Sequence, residues 1–164
     1  MALDIKIKSN VKQVQARYIK FINKFPQIIR MGLNQAGENL KTIVVDRTNK
    51  RGLDMHNRKF VGYSPMYQEL KGKSRVDLED TNRMLQSISS KVVSKNKAQV
   101  FFRSQWEATK AFWHQTGQGN LPIRKFFGFN KKVEKVIQKN YERFIKKQIK
   151  SLGLWVLEKI LQVT

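Results

Sequence analysis

Few residues in this 164-residue chain are of a type and spacing that could do chemistry. There are two histidines, His56 and His114, far apart in sequence, and no cysteine. Asp54-Met55-His56 offers two metal-ligating side chains, but a protein site needs three or four, and no third candidate has a matching spacing. Gly117-Gln118-Gly119 has the glycine density of a phosphate loop. It lacks the strand-to-helix setting, the lysine and the hydroxyl that such a loop uses. Ser64 stands directly before Pro65, the N-cap and first position of a helix, so it needs no nucleophile's role. His114 closes an aromatic helical run inside "FWHQTGQGNLPIRKFFGF" and reads as a hydrogen-bonding residue at a structural joint. No catalytic residue, cofactor site or metal site is expected. Cations and aromatics interleave at Arg124, Lys125, Phe126, Phe127 and Phe129, as in a single-strand stacking platform. Phe127 and Phe129, however, alternate with Phe126 and Gly128 as core positions on a strand do.

The elements that must position these residues follow from hydrophobic periodicity. Leu3, Ile5 and Ile7 alternate with charged residues, the period of a half-buried strand. Val11, Val14, Tyr18, Phe21, Ile22 and Phe25 recur three or four apart, the period of a helix. Pro26 disfavours helical geometry at Phe25 and suits the first turn of a second helix, which runs to about Asp46. Its stripe is Ile29, Leu33, Ala36, Leu40 and Ile43, and Gly32, Ala36 and Gly37 would let another helix approach closely, the glycines at a cost in helix propensity. Thr48 to Arg75 reads as a long polar connection with a short helix after Ser64; loops of this length in compact domains are functional or ordered by a partner. A second short helix lies in "LEDTNRMLQSI". "KVVSKNKAQVFFRS" is a hairpin turning at Lys95 to Lys97. Ser104 and Glu107 form a capping box for the helix carrying Trp106 and Trp113, and Gly117 ends it. "IRKFFGF" reads as a third strand, and Asn130 caps a long last helix. One α+β domain results, a small antiparallel sheet against long N-terminal and C-terminal helices.

Charge separates this chain from most: 33 Lys+Arg against 12 Asp+Glu, a net +21. That balance favours nucleic acid or acidic protein surfaces as partners, so a basic nucleic-acid-binding protein is the alternative reading. No stretch approaches the roughly 18 apolar residues of a membrane span, the N-terminus is not a secretory signal, and the lack of cysteine points to assembly inside a cell. The last helix sets Lys131, Lys132, Lys135, Lys139, Arg143, Lys146, Lys147 and Lys150 opposite its apolar positions. Beyond Gly153, "LWVLEKILQV" is apolar almost all round. Residues 151–164 are therefore expected to form an inter-subunit helix end, with Leu154, Trp155, Leu157 and Leu161 at the subunit interface.

Three stretches, in order, carry a likeness to a known family. The first is Phe60-x-x-Tyr63-Ser64-Pro65-x-Tyr67-x-x-x-Lys71. The second is Leu78-x-x-Thr81-x-x-Met84-Leu85-x-Ser87-Ile88, with Asn82 where the family commonly has glycine. The third is Trp113-His114-Gln115-x-Gly117 followed by Leu121-Pro122-x-Arg124-x-Phe126-Phe127-Gly128, with Lys125 where the family commonly has proline. Over roughly residues 48 to 150 the chain resembles the virion-morphogenesis proteins of tailed bacteriophages, the tail-completion or neck proteins of the Mu type and their long-tailed-phage relatives. The resemblance implies an α+β fold, a homo-oligomeric ring between head and tail, no catalysis and no cofactor. Sixfold symmetry is expected, with twelvefold the alternative. Neighbouring connector, tail-terminator or tail-tube proteins are the implied partners, and genomic DNA in the channel is a candidate contact. The implied place is the virion's head-tail junction, with the host cytoplasm during assembly. Phe60, Tyr63, Ser64, Tyr67, His114, Gln115, Gly117, Pro122, Arg124, Phe126 and Gly128 then become structural or assembly residues.

Overall fold

The computed structural model describes residues 11–152, and its first element is one helix where the sequence predicts two. Helix α1 runs Val11–Asn49 with Pro26 inside it. An internal proline removes one hydrogen bond and presses on the carbonyl four residues back, at about 3 kcal/mol or more. Here the loss falls where Ile22, Phe25 and Pro26 are exposed, so water reaches the freed carbonyl. The Phe21 and Phe25 rings lie 5.0 Å apart, and such a pair four residues apart favours helical geometry across this turn. The expected break at Phe25 is thus corrected to a continuous helix. The expected strand at Leu3 to Ile7 and the apolar segment with Leu154, Trp155, Leu157 and Leu161 lie outside the described residues.

The second half of α1 packs on two sides. One side meets the hairpin of β1 (Ile88–Ser94) and β2 (Lys97–Phe102), paired antiparallel with Ile88 opposite Phe102, Ser90 opposite Val100 and Val92 opposite Ala98. Those six residues share one face of the pleat. A Cβ placed on Gly37 would stand 3.0 Å from the Ser90 Cβ and 3.7 Å from that of Ala98, so glycine sets how closely the helix lies on the hairpin. The other side of α1 meets α5 (Lys131–Ser151), where a Cβ on Gly32 would strike the Tyr141 ring at 2.8 Å. The expected stripe from Ile29 to Ile43 is half-buried, and Ile28 and Val44 are the deeper positions.

The remaining helices are α2 (Pro65–Lys71), α3 (Arg83–Gln86) and α4 (Gln105–Thr116); α3 packs on α4 and on β1, and α4 on β2. The core joins Val44, Val76, Leu78, Met84, Leu85, Ile88, Ala111 and Phe126. Caps fall where the sequence places them. Ser64 accepts from Tyr67 N–H, Ser104 from Glu107 N–H, and Asn130 from the N–H groups of Lys132 and Val133. The Ser104 N–H donates to Ser87 Oγ rather than to Glu107, so only half of the expected capping box forms.

The third strand does not form. Arg124 to Gly128 joins no ladder but turns on itself, the Phe126 N–H donating to the Arg124 carbonyl at 2.8 Å, and among the described residues the sheet has two strands. This strap is a correction to the expected strand that closes the sheet, and what replaces the ladder builds the site.

Candidate functional site

Four residues, Arg47 of α1, Met55 of the long connection, and His114 and Gln115 of α4, satisfy the strap's backbone. Arg47, buried in α1, donates through Nη2 to the carbonyls of Phe126 at 2.6 Å and Gly128 at 2.8 Å. Gln115 makes a two-point clamp on Phe127, donating from Nε2 to its carbonyl at 2.8 Å and accepting at Oε1 from its N–H at 3.3 Å. The Arg124 N–H donates to the His114 carbonyl at 2.7 Å, and the Met55 N–H donates to the Lys125 carbonyl at 2.8 Å. The Arg124 side chain reaches back to the connection, donating from Nε and Nη2 to Val61 O and from Nη2 to Gly62 O at 3.1–3.2 Å. Buried backbone groups must find partners, and here amide and guanidinium side chains do what a neighbouring strand would do. Phe126, fully buried among Phe102 and Phe127, pins the strap to the hairpin.

Gly117 makes the turn into the strap. Its φ is 77°, and a Cβ there would meet Ile123 Cγ1 at 2.8 Å and Leu121 O at 3.0 Å. Only glycine combines this left-handed geometry with that approach.

Against the strap sits a cavity of about 570 Å³. It brings together Tyr63, Ser64 and Tyr67 from the connection with His114, Pro122 and Arg124 from the joint, and Glu79 and Asp80 stand on its rim. The guanidinium of Arg124 lies 5.2 Å from the Tyr63 ring centroid and Lys71 Nζ lies 4.9 Å from it. Phe60, Gln115, Gly117, Phe126 and Gly128 do not line the cavity; they hold the segments that do.

Beneath the Tyr63 ring is a polar knot. Asp77 Oδ1, fully buried, accepts from Lys71 Nζ, from Tyr63 Oη at 3.2 Å and from the Glu79 N–H at 3.1 Å. Lys71 also donates to the Glu79 carbonyl, and the Leu78 N–H donates to Tyr63 Oη at 3.2 Å. Burial alone would raise the Asp77 pKa, yet the bonds and charge of Lys71 with those of Glu79 and Tyr63 outweigh it and hold the carboxyl below its ordinary value. Burial alone would lower Lys71; Asp77 and Tyr63 outweigh that and raise it. A lysine held protonated in this way is the reverse of a general base, which needs a depressed pKa.

His114 contributes through its backbone. Its Nδ1 is buried with no hydrogen-bond partner among the described residues, so the expected hydrogen-bonding role falls to its carbonyl rather than its ring. Burial, then the positive charge of Arg124, lowers its pKa. Ser64 Oγ serves as the cap of α2, accepting from Tyr67 N–H at 3.4 Å. Asp54 closes a turn by accepting from the His56 and Arg58 N–H groups, each at 2.8 Å. The Asp54-Met55-His56 triplet is therefore a local turn. Among the described residues, no group of three His, Cys, Asp or Glu stands close enough to hold a metal, and no helix is long and apolar enough to cross a membrane.

Sequence reading missed Arg47 and Asp77. Both carried a signal: each is a charge next to apolar positions that turn inward, Val44 for Arg47 on the helix, and Val76 and Leu78 for Asp77. No family model, curated protein or solved structure matches the chain.

Proposed function

We propose that the protein is a structural subunit of the ring that joins head to tail in a tailed bacteriophage, a tail-completion or neck component. One observation carries this reading. The stretches behind the family resemblance, far apart in sequence, converge on one joint. There Tyr63, Ser64, Tyr67, His114 and Arg124 border a single cavity, and the polar groups of that joint hold segments together rather than facing a substrate. The joint fixes a rigid body, and rigid bodies are what a ring repeats.

A ring also needs apolar surface for its neighbour. The first half of α1 offers it: Tyr18, Ile19 and Ile22 are 50–59% exposed and Phe25 38%. Head-to-tail contact between identical subunits joins two different surfaces, and the second is assigned here to Leu154, Trp155, Leu157 and Leu161, which lie outside the described residues. Connector, tail-terminator or tail-tube proteins are the proposed neighbours, and the head-tail junction of the virion the proposed place.

Light scattering and negative-stain imaging of the full-length protein test the proposal. Closed rings are expected, sixfold, or twelvefold where a portal sets the count. A protein that stays monomeric both alone and in the assembled particle would sink the reading.

A further inference from the structure

Helix α5 has two faces of opposite chemistry. Tyr141 and Phe144 turn toward α1 at Gly32, and Val133 and Ile137 share that face by helical spacing. On the other side, Lys132, Lys135, Lys139, Arg143, Lys146 and Lys150 succeed one another at steps of three or four. All are exposed except the half-buried Lys146. At 1.5 Å per residue the stripe is about 27 Å long.

Among the described residues no stripe cation forms an ion pair, and Glu142 is the one carboxylate beside Lys139, Arg143 and Lys146. The ion pairs there lie on α1, the long connection and α4, whose carboxylates take their own local cations. Glu142 stands at the stripe's edge and accepts a hydrogen bond from Gln138 at 3.0 Å. Like charges at helical spacing repel and destabilise the helix, a penalty that a polyanion on this face would relieve. We infer that the exposed face of α5 is a binding surface for the phosphate backbone of double-stranded DNA.

Other polyanions fit this face less well. An interfacial membrane helix needs a free apolar side to insert, and that of α5 is turned to α1. Single strands are held by aromatic stacking, and the stripe has no aromatic residue. Duplex DNA carries one charge per ~1.7 Å of axis, both strands counted, so a length of about 27 Å presents about 16 phosphates around its circumference, enough to give six cations a partner each on one face. Lysine is a point charge without bidentate base readout, so binding should be indifferent to sequence. The inference is independent of the ring reading, because a free monomer presents the same face.

Fluorescence anisotropy of the full-length protein with a labelled duplex of about 30 base pairs, titrated across salt, tests it. Six phosphate contacts predict a slope of log affinity against log salt near −5, a loss of about 10³ between 50 and 200 mM salt. The variant Lys139→Glu/Arg143→Glu/Lys146→Glu should bind at least about tenfold more weakly with a slope near −3, whereas the all-arginine or all-lysine version of those three positions should retain binding. Circular dichroism confirms that each variant is folded. The same charge change on the hairpin, Lys91→Glu/Lys95→Glu/Lys97→Glu, should have a much smaller effect. Four results would overturn the inference: equal losses from the two triple-glutamate variants, no duplex binding at 50 mM salt, a single strand bound more tightly than the duplex, or binding to phosphatidylglycerol vesicles without binding to duplex.

Discussion

Replacing Asp77 by alanine is the sharpest test of what holds the joint. The carboxylate is fully buried, and its Lys71 partner has a side chain only 13% exposed. Breaking a buried pair from one side leaves an uncompensated charge and costs about 3–5 kcal/mol. Lys71 keeps two acceptors, Tyr63 Oη and the Glu79 carbonyl, which places the expected cost near the lower end, about 3 kcal/mol. Against a total of about 5–15 kcal/mol for a domain, that is a large share. Urea denaturation followed by circular dichroism at pH 7 reads it directly. The double variant Asp77→Ala/Lys71→Met should recover part of the loss, because removing both partners strands no charge. Lys73, 3.6 Å from Oδ2 but 56% exposed, should contribute under about 1 kcal/mol. The sign with pH follows from Asp77 being held below its ordinary value: its contribution is present above the unfolded pKa near 3.9 and is lost as pH falls through the lower folded value. The gap between wild type and Asp77→Ala should therefore be flat at neutral pH and close only in acid. A cost under about 1 kcal/mol, or strict additivity with Lys71→Met, would refute the buried-pair account.

Two further outcomes follow from the strap. Gln115→Ala strands the N–H and carbonyl of half-buried Phe127 and should cost about 2 kcal/mol; amide exchange at Phe127 should accelerate, and unchanged exchange would show that the clamp is idle. His114 has its folded pKa lowered by burial and by Arg124, so the unfolded chain takes up the proton first and stability falls as pH drops below about 6.5. His114→Phe should remove that increment in a denaturation series between pH 7 and 5.

The sequence announced its helices, caps and hairpin because those are local. Ser64 with Pro65, Ser104, Asn130 and the glycine after Thr116 each act on the next few residues, and the hairpin declares itself by alternation. Pro26 misled because its rule describes a helix interior in general. On an exposed turn with Phe21 beside Phe25 the penalty is met locally. "IRKFFGF" misled for the opposite reason. Its alternation pointed to Phe127 and Phe129 as core, whereas Phe126 is the fully buried ring and Phe129 is 47% exposed; which side of such a segment turns inward, and whether it finds a ladder, depends on partners far away in the chain. Arg47 and Gln115 reach the strap first. The cavity was legible only as three motifs in order, and their meeting at Tyr63, His114 and Arg124 is a tertiary fact.

The strap also dictates when the domain can finish folding. Arg47 lies 79 and 81 residues before the carbonyls it grips, and Met55 lies 75 before Asn130, whose side chain donates to it. Closing a loop of that length costs about 4 kcal/mol of chain entropy before any contact repays it, and non-local closures of this kind slow folding. During synthesis α1 and the hairpin emerge first, with the Arg47 guanidinium still without its two acceptors. A nascent chain ending before Phe126 lacks both those carbonyls and the ring at the centre of the core. The last third of the polypeptide thus acts as a timing device: the first hundred residues stay provisional until the strap arrives and locks them.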